Sequence, residues 1–371
     1  MKILLLSAYD ALSHRIWREG LVKALSNFKW TILTLPPRHF GWRIRGNSLT
    51  WAFSERKTLN RHYDLVIATS MCDLATLRGL VPTLARLPTL VYFHENQFAY
   101  PQSEKAYPSV EHKLVSLYTA LAADRVLFNS EFNRTTFLDG VQALLRKMPD
   151  GVPAGIIEDI HKRSETLPVP LDDSWFHDRA HHDKNEVFTL LWNHRWEYDK
   201  APERFLKALL KFKACGIAFQ VNIIGQQFRD TPPIFEEIRP ALEDHIVAWG
   251  TIKDTERYRK ILRQSHAVIS TALHDFQGLA VLEAVASGCI PVVPDRLAYR
   301  ETIGAEFRFP SHPDDPERET DALLERLIHL EEQHRTGTLP CAPDVSYLSW
   351  HNLKPDYQAA FDKTLVTFNE N

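Results

Sequence analysis

The sequence predicts two Rossmann-like, doubly wound α/β domains that follow one another along the chain. Its 371 residues suit two domains of about 100–200 residues each. Short, fully apolar strand candidates alternate with amphipathic helix candidates throughout, a pattern typical of parallel sheets covered by helices on both faces. An extended, proline-bearing segment at 165–173 is the expected domain boundary.

Ten strand candidates fall into two groups of five. The first group is Ile3–Leu6, Thr31–Leu35, Leu65–Ala68, Leu90–Phe93 and Val126–Phe128. The second group is Phe188–Trp192, Val221–Ile224, Val247–Trp249, Ala267–Ser270 and Ile290–Val293. We expect an N-terminal domain at 1–168, a C-terminal domain at 169–350 and a final helix within 351–371 that crosses back to the first domain. Because open α/β sheets bind ligands beyond the carboxyl ends of their strands, two such domains facing a cleft should carry function at strand ends.

Composition and charge narrow the class of protein. No apolar run approaches the roughly 20 residues that span a bilayer, and Met1–Leu6 lacks the features of a signal peptide, so we expect neither a membrane segment nor export. The four cysteines are far apart and the pair His181-His182 has no ligand at coordinating spacing, which predicts no metal site and a cytoplasmic location. Residues 1–86 hold 13 Lys+Arg against 5 Asp+Glu, whereas residues 181–371 hold 22 against 29. A basic first lobe suits a polyanion such as RNA.

Two cations follow the first strand of the second half. Arg195 ends that strand and Lys200 opens the next helix. Two cations at a strand-end loop beside a helix N-terminus can clamp a diphosphate. The alternative is a surface salt-bridge pair with Glu197 and Asp199. Gly225, directly after the next strand, either allows a ligand or backbone to approach closely or forms a plain turn.

A carboxylate pair brackets a later helix N-terminus. Asp275 lies on the loop before a helix that Gly278 opens, and Glu283 lies on the first turns of that helix. Free N–H groups of Gly278, Leu279 and Ala280 would face a phosphate. The two oxygens of Glu283 suit the vicinal hydroxyls of a sugar. The alternative is a capping aspartate and a solvated glutamate.

These residues resemble the donor motif of the retaining GT-B glycosyltransferases, the family that includes glycogen and sucrose synthases. That family has an Arg…Lys pair at the same spacing, and an E-x7-E motif followed by a small-residue helix and a Pro-Val-Val strand; here Asp275 replaces the first glutamate. The resemblance implies a GT-B fold and an enzyme that needs no metal or other cofactor. It implies that Arg195 and Lys200 bind the donor diphosphate. It further implies that Glu283 holds the donor ribose, that Asp275 contacts the transferred sugar, and that transfer proceeds with retention.

Basic and aromatic residues alternate after the second strand candidate. Arg38, Arg43 and Arg45 are interleaved with Phe40 and Trp42. A loop of this composition can pair phosphates and stack bases. The alternative is a surface loop that packs its aromatic side chains against its own domain.

Polar residues also follow the first and fourth strands. Ser13 and His14 lie at the first strand-to-helix turn, where a phosphate or sugar can approach. His94 ends the fourth strand and should reach the donor sugar or the attacking hydroxyl, the alternative being a core histidine bonded to backbone. The next three residues offer donors and acceptors for a diol: Glu95, Asn96 and Gln97.

The N-terminal strings, including 92–97 and 128–133, resemble the tRNA-queuosine mannosyltransferases, a branch of the same family, over nearly the whole chain. The resemblance implies transfer of mannose from GDP-mannose to the cyclopentenediol of queuosine in the tRNA-Asp anticodon. The implied partners are tRNA and a nucleotide sugar, with no membrane or protein partner.

Two other functions stay open at this point. One is a GT-B enzyme that acts on a lipid, glycan or small metabolite. A lipid acceptor usually goes with an exposed amphipathic helix rich in Lys, and residues 1–86 show none clearly, with 45–57 the one segment that stays open. The other is a non-catalytic RNA-binding protein that retains a glycosyltransferase fold, against which the intact donor motif argues.

Overall fold

The chain consists of two compact α/β units. The computed structural model describes residues 1–100, 110–176, 184–228 and 231–370. The first unit comprises residues 1–170 and 350–371, and the second comprises residues 171–349. The pair His181-His182 lies outside the described residues.

The first unit is built on a six-stranded parallel sheet of order β2-β1-β3-β4-β5-β6. Its strands are β1 Lys2–Ser7, β2 Lys29–Thr34, β3 Leu65–Thr69, β4 Thr89–Phe93, β5 Arg125–Phe128 and β6 Ser164–Thr166. Its helices up to the boundary are α1 Leu12–Ala24, α2 Phe40–Ser54, α3 Arg56–Leu59, α4 Leu74–Leu80, α5 Glu111–Leu121, α6 Glu131–Leu145 and α7 Ile156–Arg163. Every residue of β3 and β4 is buried, as expected where helices cover both faces of a sheet.

The second unit repeats this plan with the order β12-β11-β10-β7-β8-β9, all pairs parallel. Its strands are β7 Thr189–Asn193, β8 Gln220–Ile224, β9 Ile246–Gly250, β10 Ala267–Ile269, β11 Ile290–Pro294 and β12 Arg308–Phe309. Its helices are α8 Pro202–Ala214, α9 Ile234–Leu242, α10 Thr255–Gln264, α11 Leu279–Ala286, α12 Tyr299–Thr302 and α13 Pro316–Arg335.

The last helix, α14 Trp350–Glu370, belongs to the first unit. The hydroxyl of Tyr357 accepts a hydrogen bond from Trp17 Nε1 and donates one to the carbonyl of Pro168, both at 2.9 Å. Trp350 lies so close to Gly20 that a Cβ at that position would be 2.3 Å from its ring. A glycine on α1 therefore makes room for the returning helix.

The two doubly wound α/β domains expected from the sequence are confirmed, and all ten strand candidates are strands within a few residues. Five strands per sheet was wrong, since each sheet has a sixth. The added strands, β6 and β12, are edge strands of three and two residues with polar members, so they carry no apolar run that a sequence pattern could reveal. Within the described ranges no helix is long and apolar enough to cross a membrane.

Candidate functional site

In the first unit, polar side chains meet beyond the carboxyl ends of β1, β3 and β4. His14 Nε2 lies 2.8 Å from Glu95 Oε2, and Ser70 Oγ donates to Glu95 Oε1 at 2.8 Å. The His14 ring stacks on that of His94, with 4.1 Å between centroids. We call His14, Ser70, His94 and Glu95 the Glu95 cluster. Parallel strands that end at one edge of the sheet bring together residues that are far apart in sequence.

Several buried polar atoms around the Glu95 cluster have no hydrogen-bond partner in the described part of the chain. They are both ring nitrogens of His94, Nδ1 of His14, Oγ of Ser7 and Oγ1 of Thr69. An unpaired buried polar atom costs about 1–3 kcal/mol, so a concentration of them at one sheet edge is typical of a ligand site. Burial, followed by the neighbouring His14, holds the pKa of His94 well below its usual value. His94 is thus a neutral imidazole near pH 7, able to donate one hydrogen bond and accept another.

Asn96 does not belong to this site, which corrects the expectation that it binds a diol. It is fully buried, and its side-chain nitrogen donates to Asn133 and Thr136. Its side-chain oxygen accepts from the backbone N–H groups of Phe98 and Ala99. Through these hydrogen bonds Asn96 holds the loop after β4 against helix α6. A buried asparagine next to the cluster cannot be told from a ligand-binding one by sequence alone.

The neighbouring predicted residues lie at the margin of the Glu95 cluster. Gln97 is half-buried, with Nε2 3.8 Å from the sulfur of Met71. Ser13 is exposed on the first turn of α1.

The predicted basic loop is a helix, so that expectation was wrong from Phe40 onward. Helix α2 buries Ile44, Asn47 and Trp51, which recur at helical spacing and pack toward the core of the unit. This periodicity was present in the sequence but was hidden by the conspicuous basic and aromatic string. Arg38, outside the helix, is exposed.

The two arginines of α2 have opposite environments. Arg45 is about half exposed and forms ion pairs with Asp73 at 2.6 Å and Glu111 at 3.1 Å. Arg43 is only 8% exposed, and its Nε is buried without a hydrogen-bond partner in the described chain. Trp42 between them is 57% exposed.

In the second unit, the predicted diphosphate pair divides into a buried and an exposed member. The Lys200 side chain is 7% exposed; its Nζ donates to the carbonyl of His274 at 2.6 Å and lies 3.2 Å from Asp199 and 3.7 Å from Asp275. Lys200 is therefore no surface residue. Arg195 is 45% exposed and pairs with Glu197 at 3.0 Å, as the surface alternative anticipated.

The loop before α11 is held by its own aspartate. Asp275 accepts from the N–H of Gly278 at 3.0 Å and from the hydroxyl of Tyr299 at 3.2 Å. The Gly278 N–H is therefore not free for a phosphate, which corrects that part of the expectation. The N–H groups of Leu279 and Ala280 belong to the first helical turn and have no carbonyl four residues back in the helix. Although burial alone would raise it, the pKa of Asp275 is lowered, chiefly by Lys200.

Glu283 lies at the end of a hydrogen-bonded chain. The Tyr258 hydroxyl donates to Glu283 Oε2 at 2.7 Å, and Asn193 Nδ2 donates to the Tyr258 hydroxyl at 2.8 Å. Burial raises the pKa of Glu283 to about 7, against the opposing hydrogen bond from Tyr258. Sequence reasoning missed both partners. Asn193 ends a strand next to Arg195 and could have been suspected, whereas Tyr258 on α10 gave no signal.

Gly225 has a backbone reason to be glycine. Its φ is +148°, and an added Cβ would lie 1.6 Å from the carbonyl oxygen of His194. The ends of β7 and β8 approach each other there, so the position excludes any side chain.

A buried network that sequence reasoning also missed supports the loop with His274 and Asp275. Arg296 donates to the carbonyl of Ala272 at 2.8 Å and pairs with Glu319, whose side chain is fully buried. Thr271 Oγ1 donates to the carbonyl of Lys200 at 2.8 Å. These bonds fix the loop against the turn that carries Lys200.

Comparison with known proteins assigns the class. Residues 173–337 match the family model of group 1 glycosyl transferases. Among solved structures, sucrose-phosphate synthase from Thermosynechococcus elongatus superposes with a TM-score of 0.65 at 14% identity, covering 100% of this chain and 98% of that one. A glycosyltransferase from Rickettsia africae gives 0.64 at 15% identity, with 98% of both chains covered. These two neighbours show the GT-B fold, and the family model matches the second unit to the group 1 glycosyl transferases.

The N-terminal unit identifies the branch. Residues 2–171 match the model of the tRNA-queuosine alpha-mannosyltransferase N-terminal region. A Drosophila melanogaster protein named tRNA-queuosine alpha-mannosyltransferase is 35% identical over an alignment of 312 residues, with 82% of this chain and 82% of that protein covered. The chain belongs to the tRNA-queuosine alpha-mannosyltransferase family, as its sequence resemblance indicated.

Proposed function

We propose that this glycosyltransferase moves mannose from GDP-mannose to the cyclopentenediol of queuosine in tRNA-Asp, with retention of the anomeric configuration. The observation that carries the proposal is the identity with the Drosophila relative, which is named for this acceptor and this sugar, over 82% of both chains. The acceptor side of the proposal rests on the matched N-terminal region, which contains the whole Glu95 cluster.

The Glu95 cluster supports recognition of a diol. A carboxylate accepts from vicinal hydroxyls with two oxygens at once, and Glu95 is held in place by His14 and Ser70. The neutral ring of His94, buried with both nitrogens unpaired in the described chain, suits a hydroxyl of the diol or of the donor sugar. We assign Glu95 to the acceptor diol and His94 to the sugar transferred to it.

The donor assignment rests on Lys200 and the first turn of α11. The acceptor hydroxyl attacks the anomeric carbon on the face from which the diphosphate leaves. As the bond from that carbon to the phosphate oxygen breaks, the hydroxyl proton passes to the departing phosphate. Negative charge then grows on the leaving group, where the buried ammonium of Lys200 and the amides of Leu279 and Ala280 stabilise it. Arg195, more exposed, adds a second cation.

The remaining donor contacts follow from the same unit. Glu283, fixed by Tyr258, is assigned to the ribose hydroxyls of the nucleotide. Asp275 holds the loop through Gly278 and Tyr299, and its side chain, 20% exposed, is assigned to a hydroxyl of the transferred sugar. Since Lys200 supplies the positive charge, we propose that transfer needs no metal or other cofactor.

The test is a transfer reaction read by nucleoside mass spectrometry. Purified protein is incubated with queuosine-containing tRNA-Asp and, separately, GDP-mannose, UDP-glucose or UDP-galactose, with and without EDTA; tRNA-Asp that lacks queuosine is the control. We expect a hexose-shifted queuosine with GDP-mannose alone, unaffected by EDTA and removed by α-mannosidase. A product formed only from a UDP-sugar would overturn the donor, loss with EDTA would overturn metal independence, and resistance to α-mannosidase would overturn retention. No product from any donor would overturn the function.

A further inference from the structure

The first turn of α2 carries a cation, Arg43, that has no ion pair with the described residues. Arg43 is buried to more than nine-tenths, and no ion pair or hydrogen bond within the described residues reaches its guanidinium. Its Nε is buried, whereas the terminal nitrogens of the guanidinium reach solvent and have no hydrogen-bond partner among the described residues, so a ligand can supply the counter-charge there. Arg45, two residues on, shows the contrast, because Asp73 and Glu111 already neutralise it.

The backbone around Arg43 also favours an anion. Helix α2 has 15 residues, its N-cap residue His39 makes no side-chain capping bond, and its first turn contains no acidic residue. The N–H groups of that turn and the positive end of the helix dipole are therefore not offset by a local carboxylate. Arg43 itself belongs to this first turn, and side chains of a helix generally lean toward its N-terminus.

Next to this anion site lies a flat aromatic surface. Trp42 is 57% exposed, and its ring lies on Gly46, where an added Cβ would be 2.3 Å from the indole. One face of the ring is thus supported by the helix while the side chain stays open to solvent. An indole held in this way is suited to stack on a nucleobase.

Hydrogen bonds connect this turn to the Glu95 cluster. Asn47, one turn after Arg43 on the same side of α2, donates to the carbonyl of Met71 and accepts from the N–H of Asp73. Met71 directly follows Ser70, the partner of Glu95. The side of α2 that bears Arg43 therefore adjoins the loop that forms the cluster.

The surrounding charge fits a polyanion. Residues 38–61 contain six Lys+Arg and a single acidic residue, Glu55. A phosphate of an RNA backbone matches both this charge and the geometry of an unpaired guanidinium.

We propose that the first turn of α2 is a contact for the acceptor RNA, in which Arg43 binds a backbone phosphate next to the nucleotide held by Glu95 and Trp42 stacks on a neighbouring base. The proposal rests on the proposed tRNA acceptor and adds where the RNA is held. The same helix also exposes Leu49 and Phe53 on the side of Trp42, so an anionic membrane is the rival ligand that the test must separate.

The experiment measures binding of a fluorescent anticodon stem-loop RNA, with and without queuosine, over a series of salt concentrations. The variants are Arg43→Met, Arg43→Lys, Trp42→Ala and Gly46→Ala, the last of which displaces the indole without deleting it. Lys354→Gln is the matched control, since it removes an exposed cation of the same unit on α14, and Lys147→Gln removes another exposed cation as a second control. Melting temperatures check that each variant is folded.

We expect Arg43→Met to weaken binding about tenfold near 0.1 M salt and to lower the slope of log affinity against log salt by about 0.7–0.9, the loss of one phosphate contact. Arg43→Lys should restore the slope, and both controls should keep it. Trp42→Ala and Gly46→Ala should weaken binding about tenfold with the slope unchanged, because stacking releases no counterions.

Three results would overturn the proposal. The first is an unchanged slope in Arg43→Met. The second is that Trp42→Ala weakens binding to phosphatidylserine vesicles while its affinity for the RNA equals that of the wild type. The third is that the folded wild-type protein binds neither RNA. If hexose transfer also fails, this result rejects the proposed tRNA acceptor as well. Hexose transfer that persists while the Arg43 and Trp42 variants bind normally would leave the proposed function intact and reject this inference alone.

Discussion

Glu283→Gln should make the second unit more stable while it weakens donor binding. In the ligand-free protein the ionised form of Glu283 is disfavoured, because burial raises its pKa from 4.5 to about 7. Glutamine has nearly the same shape and keeps an oxygen to accept from Tyr258. The substitution therefore removes the cost of a buried charge without removing the hydrogen bond.

The sign and size follow from linkage. Below pH 4.5 the Glu283 carboxyl is protonated in both the folded and the unfolded state, so it does not change the free energy of unfolding. As pH rises from 4.5 toward the folded-state pKa of about 7, the unfolded state ionises first and the folded protein loses stability. Above pH 7 that pKa change corresponds to a loss of about 3 kcal/mol in the free energy of unfolding. Because the Glu283 side chain is only half-buried, solvent screens part of this effect, and we expect a loss of about 1–3 kcal/mol. For a unit of this size, each kcal/mol shifts Tm by about 2–4 °C.

The assay compares thermal unfolding of wild type and Glu283→Gln at about pH 5.5 and about pH 8.5, together with GDP-mannose affinity by calorimetry. We expect the variant to gain a few degrees at the higher pH and less at the lower pH, and to lose tenfold or more in affinity at the higher pH. Glu332→Gln, an exposed position on α13, is the matched control. A variant less stable than wild type at the higher pH, or a difference independent of pH, would refute the reasoning. Unchanged affinity would remove Glu283 from the donor site.

Three further predictions concern other parts of the chain. Lys200→Met should lower turnover at least 100-fold with tRNA affinity retained, and should lower Tm because buried Asp199 loses its counter-ion; turnover near wild type would exclude Lys200 from diphosphate stabilisation. Asn96→Ala should cost about 3 kcal/mol of unfolding free energy in urea while KM for tRNA stays unchanged, whereas a raised KM in stable protein would restore its acceptor role. Gly225→Ala should prevent the second unit from folding, seen as loss of its melting transition, because the methyl group would overlap the carbonyl of His194.

The sequence predicted which residues of the second unit lie close together, but not the residues that support them, for a physical reason. Lys200, Asp275 and Glu283 lie at strand ends and a helix start, where parallel topology brings residues of adjacent strands together. Their supports could not be found in the same way. Tyr258 projects from the side of a helix, and Arg296 reaches back from a loop 24 residues after the carbonyl it binds. Such contacts depend on side-chain reach, which no local pattern encodes.

In the first unit, the sequence located polar residues at strand ends but not the partners that surround each of them. His14, His94 and Glu95 were selected as polar residues at strand ends, and the structure joins them with Ser70 into one cluster. Asn96 has the same polar character, yet its hydrogen bonds are used within the fold. Whether a buried polar group is satisfied by its own chain or by a ligand depends on partners far away in sequence.

Lys200 and Arg43 differ in how their charges are balanced, and this difference fits the ligand proposed for each. Lys200 is already paired with two carboxylates, so a diphosphate that binds there competes with Asp199 and Asp275 for one ammonium. The competition limits binding of the ground state but favours a leaving group whose charge grows as the bond breaks. Among the described residues Arg43 has no such carboxylate partner, so a phosphate of constant charge would bind there without that competition. A compensated cation suits catalysis and an uncompensated one suits anchoring, which is why the donor is assigned to Lys200 and the RNA backbone to Arg43.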